Sequence, residues 1–341
     1  MQKIKSKRNK FLILLPFDIL ITSIGIVIFK VFNKNYNFFY QSMVRLFCVL
    51  GGKGLTFINF FVSKKGKLNL TQEKFTNLDN IVNEVKKNGF YIYENYLSEK
   101  NCENILEYCL KSELYLRPLD HENWGDEKKY SIFEPKNPKA VWYEMPYNNV
   151  LKNKIVSKII FSKEILLICE KYLKCKPIFY HAGLTITSNF SSIPSDKAAQ
   201  MYHFDLETPK FLKIFVYIND VTIENGPHFY VIGTHKDNGI DKSILSLGYS
   251  RAPDEMVNNK YKEITKHVGK RGTLIVEDTI GLHKGTVIKK KNDYRCLLCI
   301  EFSSTNYGTA EITTQAIPKE NIDLEVFNKN PYTYQNLKII S

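Results

Sequence analysis

Two histidines and a carboxylate carry the chemistry most easily read from this chain. His203 and Asp205 stand two apart in MYHFD (201–205), among β-prone residues. On an extended strand, residues i and i+2 point to the same face, so imidazole and carboxylate converge there. A third donor, His283, follows in GLHKG (281–285). Two imidazoles and one carboxylate on one side of a metal ion leave its remaining positions open, the donor set that non-haem Fe(II) oxygenases use. A His-x-Asp pair alone is as readily a surface histidine beside a solvated aspartate, so the surrounding elements have to decide.

Those elements are strands and turns. KIFVYIND (213–220) is strand-like, Asn225-Gly226-Pro227 is a turn, and His228 to Ile232 is a second strand. Arg271-Gly272-Thr273 opens LIVED, and His283 comes next. The turn-prone KKND (290–293) is expected to fold YRCLLCIEF (294–302) back beside the strand carrying His283. Arg295 then enters the same pocket if the strands close into a barrel.

In this order the pieces resemble the phytanoyl-CoA dioxygenase-like Fe(II)/2-oxoglutarate-dependent oxygenases. The matching stretches are NGFYIYENYLS (88–98), YHFD (202–205), YINDVTIENGP (217–227), VIGTHK (231–236), GTLIVEDTIGLHKG (272–285) and Arg295, within residues 84–302. The resemblance implies an α+β fold with a double-stranded β-helix (jelly-roll or cupin-like) core and flanking helices. It implies that His203, Asp205 and His283 hold Fe(II), and that Arg295 grips the far carboxylate of 2-oxoglutarate. Thr286 would be a further cosubstrate contact, and O2 would be consumed in a hydroxylation that yields succinate. Departures from the family pattern are Ile232 in place of Pro, Thr234 in place of Ser, and Gly285 where a hydroxyl residue often follows the distal histidine, Thr286 standing one further on. Related halogenases carry a small residue at the metal carboxylate, so Asp205 argues against halogenation. Two other functions stay open: a membrane-tethered jelly-roll protein that binds a ligand without turnover, and a zinc hydrolase using the same three ligands. Metal identity separates the hydrolase, which leaves Arg295 unexplained. Oxygen-dependent consumption of 2-oxoglutarate separates the binding protein.

The net charge of +13 suggests a nucleic-acid binder until its distribution is followed. Residues 1–70 hold twelve Lys and Arg against Asp18 alone, whereas the rest of the chain is nearly balanced. Basicity therefore belongs to an N-terminal region (1–70), and anionic lipid is a better partner for it than nucleic acid. The oxygenase domain is expected over 71–341. The seven cysteines of the whole chain are odd in number and show no disulfide framework, which favours a reducing compartment. Cys296 and Cys299 are three apart, so on a strand they face opposite sides and make no zinc half-site.

After the basic start, FLILLPFDILITSIGIVIF (11–29) is long enough to span a bilayer, with Asp18 its one charge. LFCVLGGKGLTFINFFV (46–62) is interrupted by glycines and Lys53, as an interfacial or re-entrant segment would be. Both are expected to associate with membrane, by spanning or by lying in the interface, with the catalytic part facing the cytoplasm. The alternative is an enzyme anchored in a secretory lumen. Residues 63–72 read as a linker. A helix over 75–89 ends at Gly89, Ser98 caps another to about Leu114, residues 115–148 are irregular and aromatic, and Lys163–Leu173 is helical before a strand at 177–187. His181 is expected in the core, and His228 and His235 in supporting roles. His121 and His267 have no supporting pattern, and the last forty residues wrap the barrel. The substrate is a small molecule or a lipid-linked one, and nothing in the sequence chooses between them.

Overall fold

Arg295, Leu297, Cys299 and Glu301 alternate with Cys296, Leu298, Ile300 and Phe302 along one strand, and this alternation divides a sheet into a polar and an apolar face. The computed structural model describes residues 7–70, 75–249, 251–308 and 314–341. Its strands are β1 (Phe90–Tyr93), β2 (Leu114–Arg117), β3 (Tyr130–Ser131), β4 (Trp142–Glu144), β5 (Ile178–Ser188) and β6 (Phe211–Tyr217). There follow β7 (His228–Val231), β8 (Ile264–His267), β9 (Leu274–Glu277), β10 (His283–Lys284) and β11 (Tyr294–Ser303). Among the described residues, eight form one sheet in the order β1-β9-β6-β11-β5-β4-β2-β3, antiparallel at every pairing, and β10-β7-β8 form a smaller one. The fold is thus mixed, helices with antiparallel sheet.

The apolar face of the large sheet packs on helices. Leu184, Ile186, Ile214, Val216, Val276 and Leu298 share one buried cluster with residues of the helices Leu78–Asn88, Glu99–Leu110 and Lys163–Leu173. Burying a side chain of this size is worth about 1.5–3 kcal/mol, so this layer dominates the stability of the sheet. The expected helix boundaries at Gly89 and over Lys163–Leu173 are observed, Gly89 taking φ +100°. Ser98 caps its helix through the Asn101 N–H, but that helix stops at Leu110. Leu114–Arg117 is a strand instead, and residues 115–148, expected to be irregular, add β2, β3 and β4 to the sheet. Their β-prone Tyr, Leu and Trp lie in runs of two to four residues, too short to show a period.

A second correction concerns β11. It pairs with β5 and β6 over its length and not with β10, which pairs with β7. His283 and Arg295 therefore reach the interior from different sheets. The final residues include a two-stranded parallel pair, Gln315–Pro318 with Leu337–Ile340.

The N-terminal region folds as α1 (Arg8–Phe32), α2 (Asn37–Leu50) and α3 (Gly52–Val62). Gly51, at φ +64°, breaks α2 from α3 where the glycine-rich interruption stands. Phe39, Met43, Phe47 and Ile58 of these helices are buried in a cluster with Tyr202, Phe204 and Tyr307. Asp18, awkward in an apolar run, is buried and accepts from Nε and Nη2 of Arg45 on α2.

Tyr230 of β7 locks the two sheets' ends together. Its ring is fully buried and its hydroxyl donates to the Asp278 carbonyl at 2.9 Å. A Cβ placed on Gly281 would collide with that hydroxyl. Since the Gly281 carbonyl also accepts from His283 Nδ1, Gly281→Ala is expected to cost about 1–3 kcal/mol and to weaken metal binding at His283 together. Chemical denaturation with a parallel Ni(II) titration checks this. A variant as stable and as metal-competent as the parent would show that Tyr230 can move aside freely.

Candidate metal centre and its cavity

The His-x-Asp pair does not sit in a continuous strand. Tyr202 and His203 make single antiparallel bridges, to Ala252 and His283, and Asp205 lies in coil. The bridge nevertheless brings the donors together. The backbone N–H of His203 donates to the His283 carbonyl at 2.9 Å, and that of His283 to the His203 carbonyl at 2.9 Å. Residues that exchange both bonds are directly opposite and project their side chains to one face. The two rings accordingly lie 4.2 Å apart by centroid. The Asp205 N–H donates to the Thr279 carbonyl at 2.9 Å, which fixes the third donor on the same wall.

The ring nitrogens are sorted by their partners. His203 Nδ1 meets the Met201 carbonyl at 2.8 Å and His283 Nδ1 the Gly281 carbonyl at 2.9 Å. A carbonyl only accepts, so each Nδ1 carries hydrogen and each Nε2 is turned toward Asp205. Burial opposes a charge on His283, but the Asp205 carboxylate outweighs it and raises the imidazole pKa, so a metal ion would displace the Nε2 proton there. One ring nitrogen of each histidine and an Asp205 carboxylate oxygen lie within 4.8 Å of one another. His283 Nε2 is 3.3 Å from Oδ2 and His203 Nε2 is 3.8 Å from Oδ1. Burial, with His283 adding to it, holds the His203 imidazole well below its ordinary pKa and so neutral, the form that ligates. Burial works against ionising Asp205, but the Lys213 ammonium and His283 overcome it and hold the carboxyl well below the usual range. The three residues can therefore hold one metal ion, and their donor set leaves open positions for further ligands.

These residues line a cavity of about 710 Å³ between the two sheets. Arg295 reaches it from β11, 3% exposed. One guanidinium nitrogen donates to the Gly226 carbonyl and another lies 3.5 Å from the Thr187 hydroxyl, while Nε has no partner. Arg117 and Arg251, the other cavity arginines, are paired with Glu144 and Asp196. Among the described residues no carboxylate lies within ion-pair reach of Arg295, and its burial pulls its pKa down, the mark of a desolvated cation. A buried, unpaired guanidinium is a place for an anion, and a carboxylate matches its fork. Thr286 is not among the residues lining the cavity; its hydroxyl donates to the Pro227 carbonyl at 2.8 Å. Gly285 lies closer, with Arg295 Nη2 3.4 Å from where its Cβ would be.

Two features escaped the sequence, and a third gives the supporting role expected of His228 its partners. Lys213 Nζ donates to Asp205 Oδ2 at 2.8 Å and to Glu207 Oε1 at 3.0 Å, with Glu301 Oε2 at 3.7 Å. Cross-strand register sets Glu277, Lys213, Glu301 and His181 opposite one another on four adjacent strands, so an ionisable row crosses the sheet. His181 was expected in the core; it lines the cavity, 3.8 Å from Glu301, and burial and Lys213 hold it neutral with a pKa down to about 3. Finally, His228 lines the cavity beside His283, their rings 5.3 Å apart, and its Nε2 donates to Glu277 at 2.8 Å. His267 Nδ1 lies 3.4 Å from the other oxygen of Glu277. This second His-His-Glu group is buried on all sides, and its short His228–Glu277 bond makes it a brace behind the first.

Comparison with known proteins adds an outline only. No protein-family model and no curated protein matches the sequence. Among solved structures, HygX from Streptomyces hygroscopicus with nickel and 2-oxoglutarate bound is 12% identical, covering 67% of this chain and 88% of its own, with a TM-score of 0.48. EvdO2 from Micromonospora carbonacea var. aurantiaca is 14% identical, covering 72% and 96%, at 0.47. SnoN, a non-haem α-ketoglutarate-dependent epimerase from nogalamycin biosynthesis, is 12% identical, covering 66% and 82%, at 0.45. Likenesses this distant carry no weight for the residues or the reaction, which rest on the geometry above.

Two outcomes follow. His203→Ala, Asp205→Ala and His283→Ala should each abolish Fe(II) binding while the folded circular-dichroism spectrum persists, because open-site ligands serve the metal more than the fold. A folded variant that still binds Fe(II) normally would remove that residue from the site. Glu301 offers a different test. Burial and the neighbouring Glu207 push its carboxyl well above the usual range, Lys213 opposing only in part. A group whose folded pKa is raised loses its stability contribution as pH climbs from the unfolded value toward the folded one. Glu301→Gln should therefore gain thermal stability over the parent as pH rises from about 5 to 8. An unchanged difference across that range would mean that Glu301 is ionised in the fold.

Proposed function

We propose that the chain is an Fe(II)/2-oxoglutarate-dependent dioxygenase of the phytanoyl-CoA dioxygenase-like kind, built on a double-stranded β-helix core. It hydroxylates a small-molecule or lipid-linked substrate. The observation that carries this is the pairing of His203, Asp205 and His283 with a buried, unpaired Arg295 in one cavity. Structural metal sites are closed by four protein donors, whereas three donors beside an anion pocket suit a metal whose remaining ligands are carboxylate cosubstrate and O2. A zinc hydrolase has no use for the lone guanidinium.

Iron, when bound with 2-oxoglutarate and O2, supplies the oxidising chemistry, with decarboxylation to succinate. The chain's residues do the rest. His203, His283 and Asp205 hold the metal with both imidazoles fixed in the Nδ1–H tautomer by backbone carbonyls. Lys213 keeps Asp205 ionised and orients it through Oδ2. Arg295 receives the distal carboxylate of the keto acid, its approach kept open by Gly285. His228, held at a pKa of about 4 mainly by burial, stays uncharged and does not compete with Arg295 for that anion. Trp142, Tyr249 and Phe215 are left to shape the substrate side and to exclude water.

The test is turnover of 2-oxoglutarate by the purified full chain with Fe(II). Succinate formation should require O2 and Fe(II), and Arg295→Lys should raise the 2-oxoglutarate requirement by about tenfold or more while Fe(II) affinity stays close to that of the parent. Stoichiometric 2-oxoglutarate binding without succinate would favour a binding protein. Equal loss of iron and 2-oxoglutarate in Arg295→Lys would place Arg295 in the structural core.

A further inference from the structure

α1 has two faces that contradict each other if water is its only surroundings. Asp18, Thr22, Gly25 and Ile26 are buried against the protein. On the other side Ile13, Phe17, Leu20, Ile24, Val27 and Val31 follow one another at spacings of four and three, each between 46% and 74% exposed. Those spacings put all six on one side of the helix, an unbroken apolar stripe facing outward. Phe57 and Phe60 of α3 are exposed as well, and the Lys65 ammonium lies over the Phe60 ring. A contiguous patch of this kind marks an interaction surface.

We infer that α1 and α3 seat the protein in the surface of an anionic lipid bilayer, with α1 lying in the membrane plane and not crossing it. The helix is long enough to cross, and mean hydropathy alone marks it as a span. Its attachments forbid that orientation. At one end the Lys7 N–H donates to the Ser246 carbonyl at 2.8 Å, in the loop that leads to Tyr249 and Arg251 of the cavity. At the other end Phe29 packs edge-on against Tyr307, ring centroids 5.5 Å apart, and Asn35 Nδ2 donates to the Asn306 carbonyl at 2.7 Å. Midway, Arg45 holds Asp18 by a bidentate pair. A helix fastened to one folded body at both ends and its middle cannot have that body on one side of about 30 Å of hydrocarbon and its own far end on the other. It can lie flat, its outer stripe in the acyl boundary.

Charge selects the occupant. Residues 1–70 carry twelve basic side chains, and their one acid, Asp18, is already paired inside the protein. Lys10, Lys30, Lys34 and Lys53 of this region are exposed. Such a surface complements anionic headgroups. A second copy of the chain would bring two equally basic surfaces face to face with no acid to offset them. The inference is independent of the chemistry proposed for the cavity, and it keeps the catalytic part on the side where the basic N-terminus stays, the cytoplasmic one.

The experiment uses the full chain with different epitope tags at its two ends. Purified protein should float with phosphatidylcholine vesicles containing phosphatidylglycerol and much less with phosphatidylcholine alone. Phe17→Glu combined with Val27→Glu replaces exposed residues only, so melting temperature and Fe(II) binding should hold while flotation falls by about tenfold or more. In membranes from expressing cells, protease should remove both tags from inverted vesicles and neither from sealed right-side-out ones. Tags on opposite faces would overturn the in-plane orientation in favour of a span. Absence of flotation overturns the membrane itself, and a concentration-dependent dimer abolished by the double variant would identify a second copy as the occupant.

Discussion

Everything at this site depends on two backbone hydrogen bonds, the reciprocal pair that joins His203 to His283. Eighty residues separate them in the chain, yet the exchange of both bonds makes them direct neighbours with rings on one side. A slip of one residue in that bridge would turn an imidazole away and dismantle the donor set. The structure guards the register from both directions. Tyr202 bridges to Ala252 on one side, and the Gly285 N–H donates to the Ala199 carbonyl on the other. Phe204, between His203 and Asp205, is buried against Phe47 of α2, so the N-terminal helices also hold this segment in place.

The second dependence is electrostatic. Asp205, Glu207 and Glu301 crowd one region of low solvent access, and Lys213 is the ammonium that reaches all three. A buried charge without a partner costs several kcal/mol, so the lysine is what makes an ionised Asp205 tolerable before any metal arrives. The carboxylates divide the work unequally: Asp205 is held well below the usual range, and Glu207 and Glu301 are pushed above it, chiefly by burial. Behind His283, the His228–Glu277 bond stiffens the opposite flank.

The parts legible in the sequence were those that local chemistry spells out. His203, Asp205, His283 and Arg295 belong to short ordered motifs, and the structure brings all four to one cavity. Gly89 and Ser98 end and begin their helices as their side chains dictate. What stayed hidden depends on strand register. Lys213, Glu277 and Glu301 lie in different strands and meet only because β6 is flanked by β9 and β11. His267 looked idle because its partner Glu277 lies on the other sheet. The same ignorance of register paired β11 with β10, since neighbours in sequence were taken for neighbours in the sheet. Whether α1 spans a membrane or lies in its interface stayed open in the sequence, because periodicity reveals an apolar helix but not that Asp18, Thr22 and Ile26 turn inward onto protein.

Among the described residues, two groups have the donor atoms for a metal, His203–Asp205–His283 and His228–Glu277–His267, and their rings adjoin. The proposed metal site is the first group alone. Anaerobic crystals grown with Fe(II) and 2-oxoglutarate, measured on both sides of the iron absorption edge, decide the matter directly. One anomalous peak is expected, bonded to Nε2 of His203 and His283 and to Asp205, with 2-oxoglutarate reaching from it to the Arg295 guanidinium. A peak on Glu277 between His228 and His267, with the first group still joined by its own hydrogen bonds, would contradict it.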